Sequence, residues 1–128
     1  MSTSNIDVIR GGYAAFERGD VPAIFALLDP EAEFYQSDEL PWGGRYRGHA
    51  EIGEFLRRLS TSVESKVTAE RFVEAGNQIV QIGRTRGTVR ATGKPFDVPE
   101  VHVWTLRHGK IVRFEAYLDH ATLQPALH

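Results

Sequence analysis

Phe96-Asp-Val-Pro-Glu-Val-His-Val-Trp-Thr-Leu-Arg107, then His108-Gly109, then Lys110-Ile-Val-Arg-Phe-Glu-Ala-Tyr-Leu118: these two runs and the glycine turn between them decide the fold. Apolar and polar residues alternate along both, and a period of two across a short glycine-bearing break predicts an antiparallel hairpin. Working backwards, Lys66 to Glu74 and Gln78 to Arg90 share that period, with breaks at Gly76-Asn77 and Ala91-Thr-Gly93-Lys94. The second half is therefore expected to be a meander of consecutive hairpins. The first half has another rhythm. Ile6, Ile9, Tyr13 and Phe16 recur at helical spacing behind Ser4, which can cap the helix with Asp7, and Gly19 stops it. Asp20 and Pro22 open a second helix carrying Ile24, Phe25, Leu27 and Leu28, which Asp29-Pro30 closes. A short strand is expected over 32–36, a loop over the glycine- and proline-rich residues 37–48, and a third helix from Gly48 with Ile52, Phe55, Leu56 and Leu59 on one stripe. Helices first and an antiparallel meander afterwards predict an α+β fold in which a curved, mostly antiparallel sheet wraps the helices.

The faces of the last hairpin follow from turn chemistry. A two-residue turn at His108-Gly109 would force the histidine to positive φ, whereas the three-residue loop Arg107-His108-Gly109 asks this of glycine alone. The longer loop is expected. It pairs Leu106 with Lys110, Trp104 with Val112, His102 with Phe114 and Glu100 with Ala116, on one face with Leu118. Val101, Val103, Thr105, Ile111, Arg113, Glu115 and Tyr117 fall on the opposite, convex face. Their apolar members would form a continuous stripe, so a homodimer is expected.

Glu100 and His102, two residues apart on the inward face, can act as an acid/base pair. His102 would be the general acid or base, because imidazole titrates near working pH, and Glu100 would orient or charge-balance it. The plain alternative is a core histidine bonded to Glu100 or to backbone. Asp119 falls on the outward side by alternation and is expected to cap a turn over 121–123. Arg84, Arg86, Arg90 and Lys94 are expected along a solvated strand edge.

Composition excludes other classes. With 128 residues and 14.4 kDa the chain makes one domain, 1–128. Fifteen Lys+Arg against seventeen Asp+Glu give a net charge of −2, which argues against a nucleic-acid partner. The absence of cysteine excludes disulfides and thiolate-ligated metals and points to a cytoplasmic setting. Met1–Asp7 carries no signal-peptide pattern, and the apolar run 23–28 is too short for a membrane span, so no membrane partner is expected. His49 with Glu51, or Asp119 with His120, offers two metal ligands where a catalytic zinc needs three. Neither a metal nor a cofactor is expected. No phosphate loop, dinucleotide fingerprint, zinc-protease helix or nucleophile elbow occurs.

The element order, Tyr13-Ala-Ala-Phe16 with Gly19-Asp20, Trp42-Gly-Gly-Arg-Tyr-Arg-Gly48, and His102-Val-Trp104 with Gly109 to Asp119 together resemble the SnoaL-like branch of the NTF2-like superfamily. The resemblance covers nearly the whole chain. It implies a cone-shaped α+β barrel with a pocket between helices and concave sheet, often dimeric, and it leaves the reaction open. In polyketide cyclases of this type a histidine on the His102 strand works with an aspartate on the last strand, where this chain has Ala116. Ketosteroid isomerases carry a base aspartate where this chain has Gln36, and limonene-type epoxide hydrolases need an Asp-Arg-Asp set not found here. The resulting expectation is a protein binding a small hydrophobic, carbonyl-bearing molecule, either as a cofactor-free isomerase or cyclase or as a non-catalytic binding or dimerisation module. Trp104, Phe114, Phe34, Phe55 and Trp42 are expected as apolar walls, with Tyr13 and Gln36 also against the ligand, and Trp42 and Tyr46 near the mouth.

Overall fold

A computed structural model describes residues 4–128. Residues 1–3, which belong to the N-terminal stretch read above and to the single domain 1–128 expected there, lie outside them. Helix α1 (Asn5–Glu17) starts at Ser4, whose hydroxyl accepts from the Asp7 amide and donates to the Asp7 carboxylate. It is followed by α2 (Val21–Ala26), capped by Asp20, then β1 (Leu28–Gln36), β2 (Gly44–Arg47), α3 (Gly48–Ser62), β3 (Val63–Ala75), β4 (Gln78–Val89), β5 (Pro95–Arg107), β6 (Lys110–Leu118) and α4 (His120–Leu127). The expected α+β order holds.

The six strands form one curved sheet in the order β2-β1-β6-β5-β4-β3, antiparallel except where β1 runs parallel to β6. The sheet is open, with β2 and β3 as edges, so the cone is not a closed barrel. Its bend is built into β4. A Cβ at Gly83 would overlap the Thr68 carbonyl oxygen, and one at Gly87 the Glu64 carbonyl oxygen, so glycine is what lets β3 fold over its neighbour. A bulge between Ala69 and Arg71 adds to the twist.

Four expectations change. Leu28 belongs to β1, not α2: it pairs with Ile111, and the Leu27 carbonyl accepts from the Ile111 amide, so sheet bonding takes the chain out of the helix. The segment read as loop contains β2, which pairs Tyr46 with Phe34 and Gly44 with Gln36. The last hairpin turns at His108-Gly109 with both residues at positive φ, 52° and 75°. Arg107 faces Lys110, Leu106 faces Ile111, and a bulge lies between Thr105 and Leu106. Trp104 thus pairs with Phe114, His102 with Ala116 and Glu100 with Leu118. This two-residue shift keeps every one of those side chains inside, but the bulge sends Ile111 inward and leaves Val112 on the outer side. Finally, β4 is an interior strand. Arg84 and Arg86 lie on its outer face against Asp97, at 2.7 and 3.9 Å, rather than along an edge.

The core sits between the concave face and helices α1 and α3, with Ile9, Ile52, Phe55, Ile79, Val98 and Leu106 at its centre. Asp119 caps α4 by accepting from the Thr122 amide, and α4 packs Leu123 and Ala126 inward. No helix among the described residues is long and apolar enough to cross a membrane.

Candidate functional site

Two transverse rows of side chains cross the concave face, one repeat of the pleat apart. The first is Phe34, Phe114, Trp104 and Ile79, aligned by direct pairing across four strands. The second lies two residues further along each strand: Gln36, one step beyond the Tyr35–Glu115 pair, then Ala116, His102 and Gln81. Alternation turns both rows to the same side. The first row is aromatic, with ring centroids 4.8 Å apart for Phe34 and Phe114 and 4.2 Å for Trp104 and Phe114. The second is polar. Phe34, Phe114 and Trp104 of the first row and Gln36 and His102 of the second line, with α1, α2 and α3, a cavity of about 110 Å³.

His102 and Tyr13 are the polar centre of this wall. The Tyr13 oxygen accepts from the Trp104 indole N–H at 2.9 Å and from the Gln81 amide at 3.1 Å, so its own proton is free to donate to His102 Nδ1 at 2.6 Å. Indole is donor-only, which fixes the direction of this chain. Nδ1 is thereby the acceptor nitrogen, and the imidazole proton resides on Nε2, which lies 3.4 Å from Glu100 Oε2. The Gln81 amide also donates to Glu100 Oε1 at 2.9 Å, while Glu100 Oε2 and Gln81 Oε1 have no hydrogen-bond partner.

Burial sets the electrostatics. Desolvation pushes the His102 imidazole down to about 3, so it is neutral near pH 7. Glu100, 2% exposed, is pushed up to about 7 by desolvation; the Gln81 hydrogen bond opposes the rise and the charge of Glu70 adds to it. The Tyr13 phenol is raised as well, chiefly by burial, against the hydrogen bonds from Trp104 and Gln81. Glu100 is therefore the member of the pair that titrates near neutrality, the reverse of what free amino acids would suggest.

Of the sequence candidates, Tyr13, Phe34, Gln36, Trp42, Phe55, His102, Trp104 and Phe114 all line the cavity. Glu100 stands behind the lining, against His102. Trp42, expected near the mouth, is 2% exposed and donates its indole N–H to Gln36 Oε1 at 2.9 Å. Tyr46 is also buried, donating to the Trp42 and Gly43 carbonyls and accepting from Arg58. Gln81 was not singled out in the sequence, although the outward arginines at 84 and 86 force the odd-numbered neighbours Ile79, Gln81, Gly83 and Thr85 inward. His49 lies near the Leu28 carbonyl and His120 against Glu39, and no three His, Cys, Asp or Glu side chains among the described residues are placed to hold a metal.

The family model of the SnoaL-like domain matches residues 9–114, a span that carries both rows except Ala116, most of α1, and all of α2 and α3. The chain belongs to the SnoaL-like domain family. An NTF2-like protein of Burkholderia thailandensis has a crystal structure similar to this SnoaL-like chain at 31% identity, with 99% of each chain covered and a TM-score of 0.92. TerC, crystallised with polyporic acid, is similar at 29% identity over 96% of this chain and 97% of its own, with a TM-score of 0.87. A Catenulispora acidiphila protein of ketosteroid isomerase-like fold, in complex with trimethylamine, shares the fold at 18% identity, covering 93% and 90% of the two chains with a TM-score of 0.80. The fold is thus shared across these chains, and fold alone does not fix what each of them does.

Proposed function

We propose that this SnoaL-like protein binds a small, largely apolar carbonyl compound in the cone and transfers a proton to and from it without a cofactor. The observation that carries the reading is the hydrogen-bonded set Tyr13–His102–Gln81–Glu100 at the wall of an otherwise apolar cavity. Tyr13 borders the ligand space; when the substrate C–H takes the place of the Gln81 donor at its oxygen, a substrate proton passes to that oxygen as the phenolic proton moves to His102 Nδ1. The imidazolium formed then lies 3.4 Å from the Glu100 carboxylate, which balances its charge. Deprotonation of substrate therefore needs Glu100 ionised and is expected to speed up as pH rises through about 7. The occurrence of polyporic acid in crystals of TerC supports a carbonyl-type ligand here.

The measurement is exchange of the α-hydrogens of a bicyclic ketone such as 1-tetralone for deuterium. His102→Ala is expected to lower the exchange rate by about 10²–10⁴-fold with the fold retained. Undiminished exchange in the variant removes His102 from the chemistry, and no exchange by the wild type leaves a non-catalytic binding module. The engagement of both imidazole nitrogens by protein groups is the observation that favours this second reading. We also place the protein in the cytoplasm and as a homodimer through the outer face of β4, β5 and β6, where Val80, Ile82, Val101 and Val103 are half-buried and Tyr117 is 49% exposed.

A further inference from the structure

We propose that Gln36 holds the carbonyl oxygen of the ligand, so that the cone selects a flat, mainly hydrocarbon ketone whose oxygen lies at the β1 side and whose reacting hydrogen lies toward Tyr13 and His102. The inference deepens the reading above and rests on it for the position of the reacting hydrogen. Gln36 is 6% exposed and lines the cavity. An amide side chain can turn either end inward, but Trp42 decides the matter: its indole can only donate, and it takes Gln36 Oε1 at 2.9 Å. The NH₂ group is left over. It makes no hydrogen bond to any described residue and reaches the cavity surface, where water or a ligand can supply the acceptor an amide seeks. The lining thus contains a fixed, unused pair of donors.

What faces those donors defines the ligand. Between Gln36 and His102 in the polar row stands Ala116, 3% exposed, an apolar spacer whose methyl group bonds to neither of them. Two strand spacings, roughly 10 Å between backbones, separate the two polar residues. The aromatic row of Phe34, Phe114 and Trp104 lies alongside as an apolar wall for a ring system. A ketone filling this gap accepts from Gln36 at its oxygen. When its α C–H bond breaks, the proton goes to the Tyr13 oxygen and the C–H electron pair becomes the new C=C bond. The carbonyl π pair moves onto oxygen, where the Gln36 N–H groups meet the enolate charge. Return of the proton to carbon restores both partners.

The test compares 1-tetralone with tetralin, the same bicycle without oxygen. Binding is read from fluorescence of Trp42 and Trp104, the two tryptophans of the chain, both in the cavity lining. The wild type is expected to favour the ketone by about tenfold, and Gln36→Leu to lose that preference while still binding tetralin. Infrared spectra of bound 1-tetralone are expected to show the C=O stretch at lower frequency in the wild type and in His102→Ala, but not in Gln36→Leu. Gln36→Met serves if the leucine variant fails to fold. No ketone binding, no preference in the wild type, or a stretch indifferent to Gln36 overturns the assignment. A Gln36-dependent shift without deuterium exchange keeps it and removes proton transfer instead; exchange without the shift does the reverse.

Discussion

The two rows of the concave face differ by one step of the pleat and by nearly everything else. Phe114 lies within 5 Å of both Phe34 and Trp104, while in the polar row His102 and Gln81 join a network with Tyr13 and Glu100 that still leaves Gln81 Oε1 and Glu100 Oε2 without partners. Apolar contact gains from burial, whereas a buried acid and imidazole lose hydration that their hydrogen bonds only partly restore. The aromatic row secures the cone, and the polar row draws on that stability to keep an acid and an imidazole away from water. Adjacent positions on one strand can therefore serve opposite ends.

Phe114→Ala cuts deepest into this contrast. Phe114 is 5% exposed and in contact with Phe34, Trp104 and His102, so urea denaturation is expected to show a loss of about 3–5 kcal/mol. A loss near that of an ordinary surface substitution would deny the aromatic row its role.

The polar row has a signature in pH. Folded Glu100 holds its proton up to about 7 against 4.5 unfolded, so its contribution is full at low pH and is lost as pH rises across that window. His102 does the opposite: the folded imidazole stays neutral down to about 3, while the unfolded one takes up a proton below 6.5, so stability is lost as pH falls. Between 4.5 and 6.5 the folded and unfolded pairs each carry one proton, and the two slopes cancel. Glu100→Gln is expected to expose the histidine slope, with stability rising by about 1.4 kcal/mol per pH unit relative to wild type; His102→Gln exposes the opposite slope. Chemical denaturation at a series of pH values reads both, and two variants that both follow the wild-type curve would end the account.

Smallest for the rows themselves is a change behind them. Val103 lies on the outer face of β5 between His102 and Trp104, so Val103→Lys is expected to halve the mass found by sedimentation while leaving the pH slopes intact. A wild type that sediments as a 14.4 kDa monomer contradicts the dimer.

Strand faces were legible because a period of two survives any even shift of register: Glu100, His102, Trp104 and Phe114 were placed inside although their partners were misjudged by two residues. The register itself was not legible. It turns on His108 tolerating φ of 52° and on a bulge at Thr105–Leu106, and a local preference against left-handed histidine gives way to six strands' worth of pairing. Strand β2 has four residues among glycines and is held by β1, which nothing in its own composition announces. In the site, Glu100 and His102 were visible as near neighbours, but the groups that orient them come from β4 and from α1 far away in sequence. Trp42 was read by its glycine-rich surroundings as peripheral, and only the Gln36 bond shows why it is buried.

The parallel pairing of β1 with β6 joins Leu28 to Ile111 across roughly eighty residues of intervening chain. During synthesis β1 and β2 have no place in the sheet until the last strand leaves the ribosome. Until then Phe34 has no Phe114 to meet, and both rows are only partly assembled. Folding of this chain is thus ordered by its final segment, with slow non-local closure and exposed aromatic surface in the interval, a period in which chaperones would find their substrate.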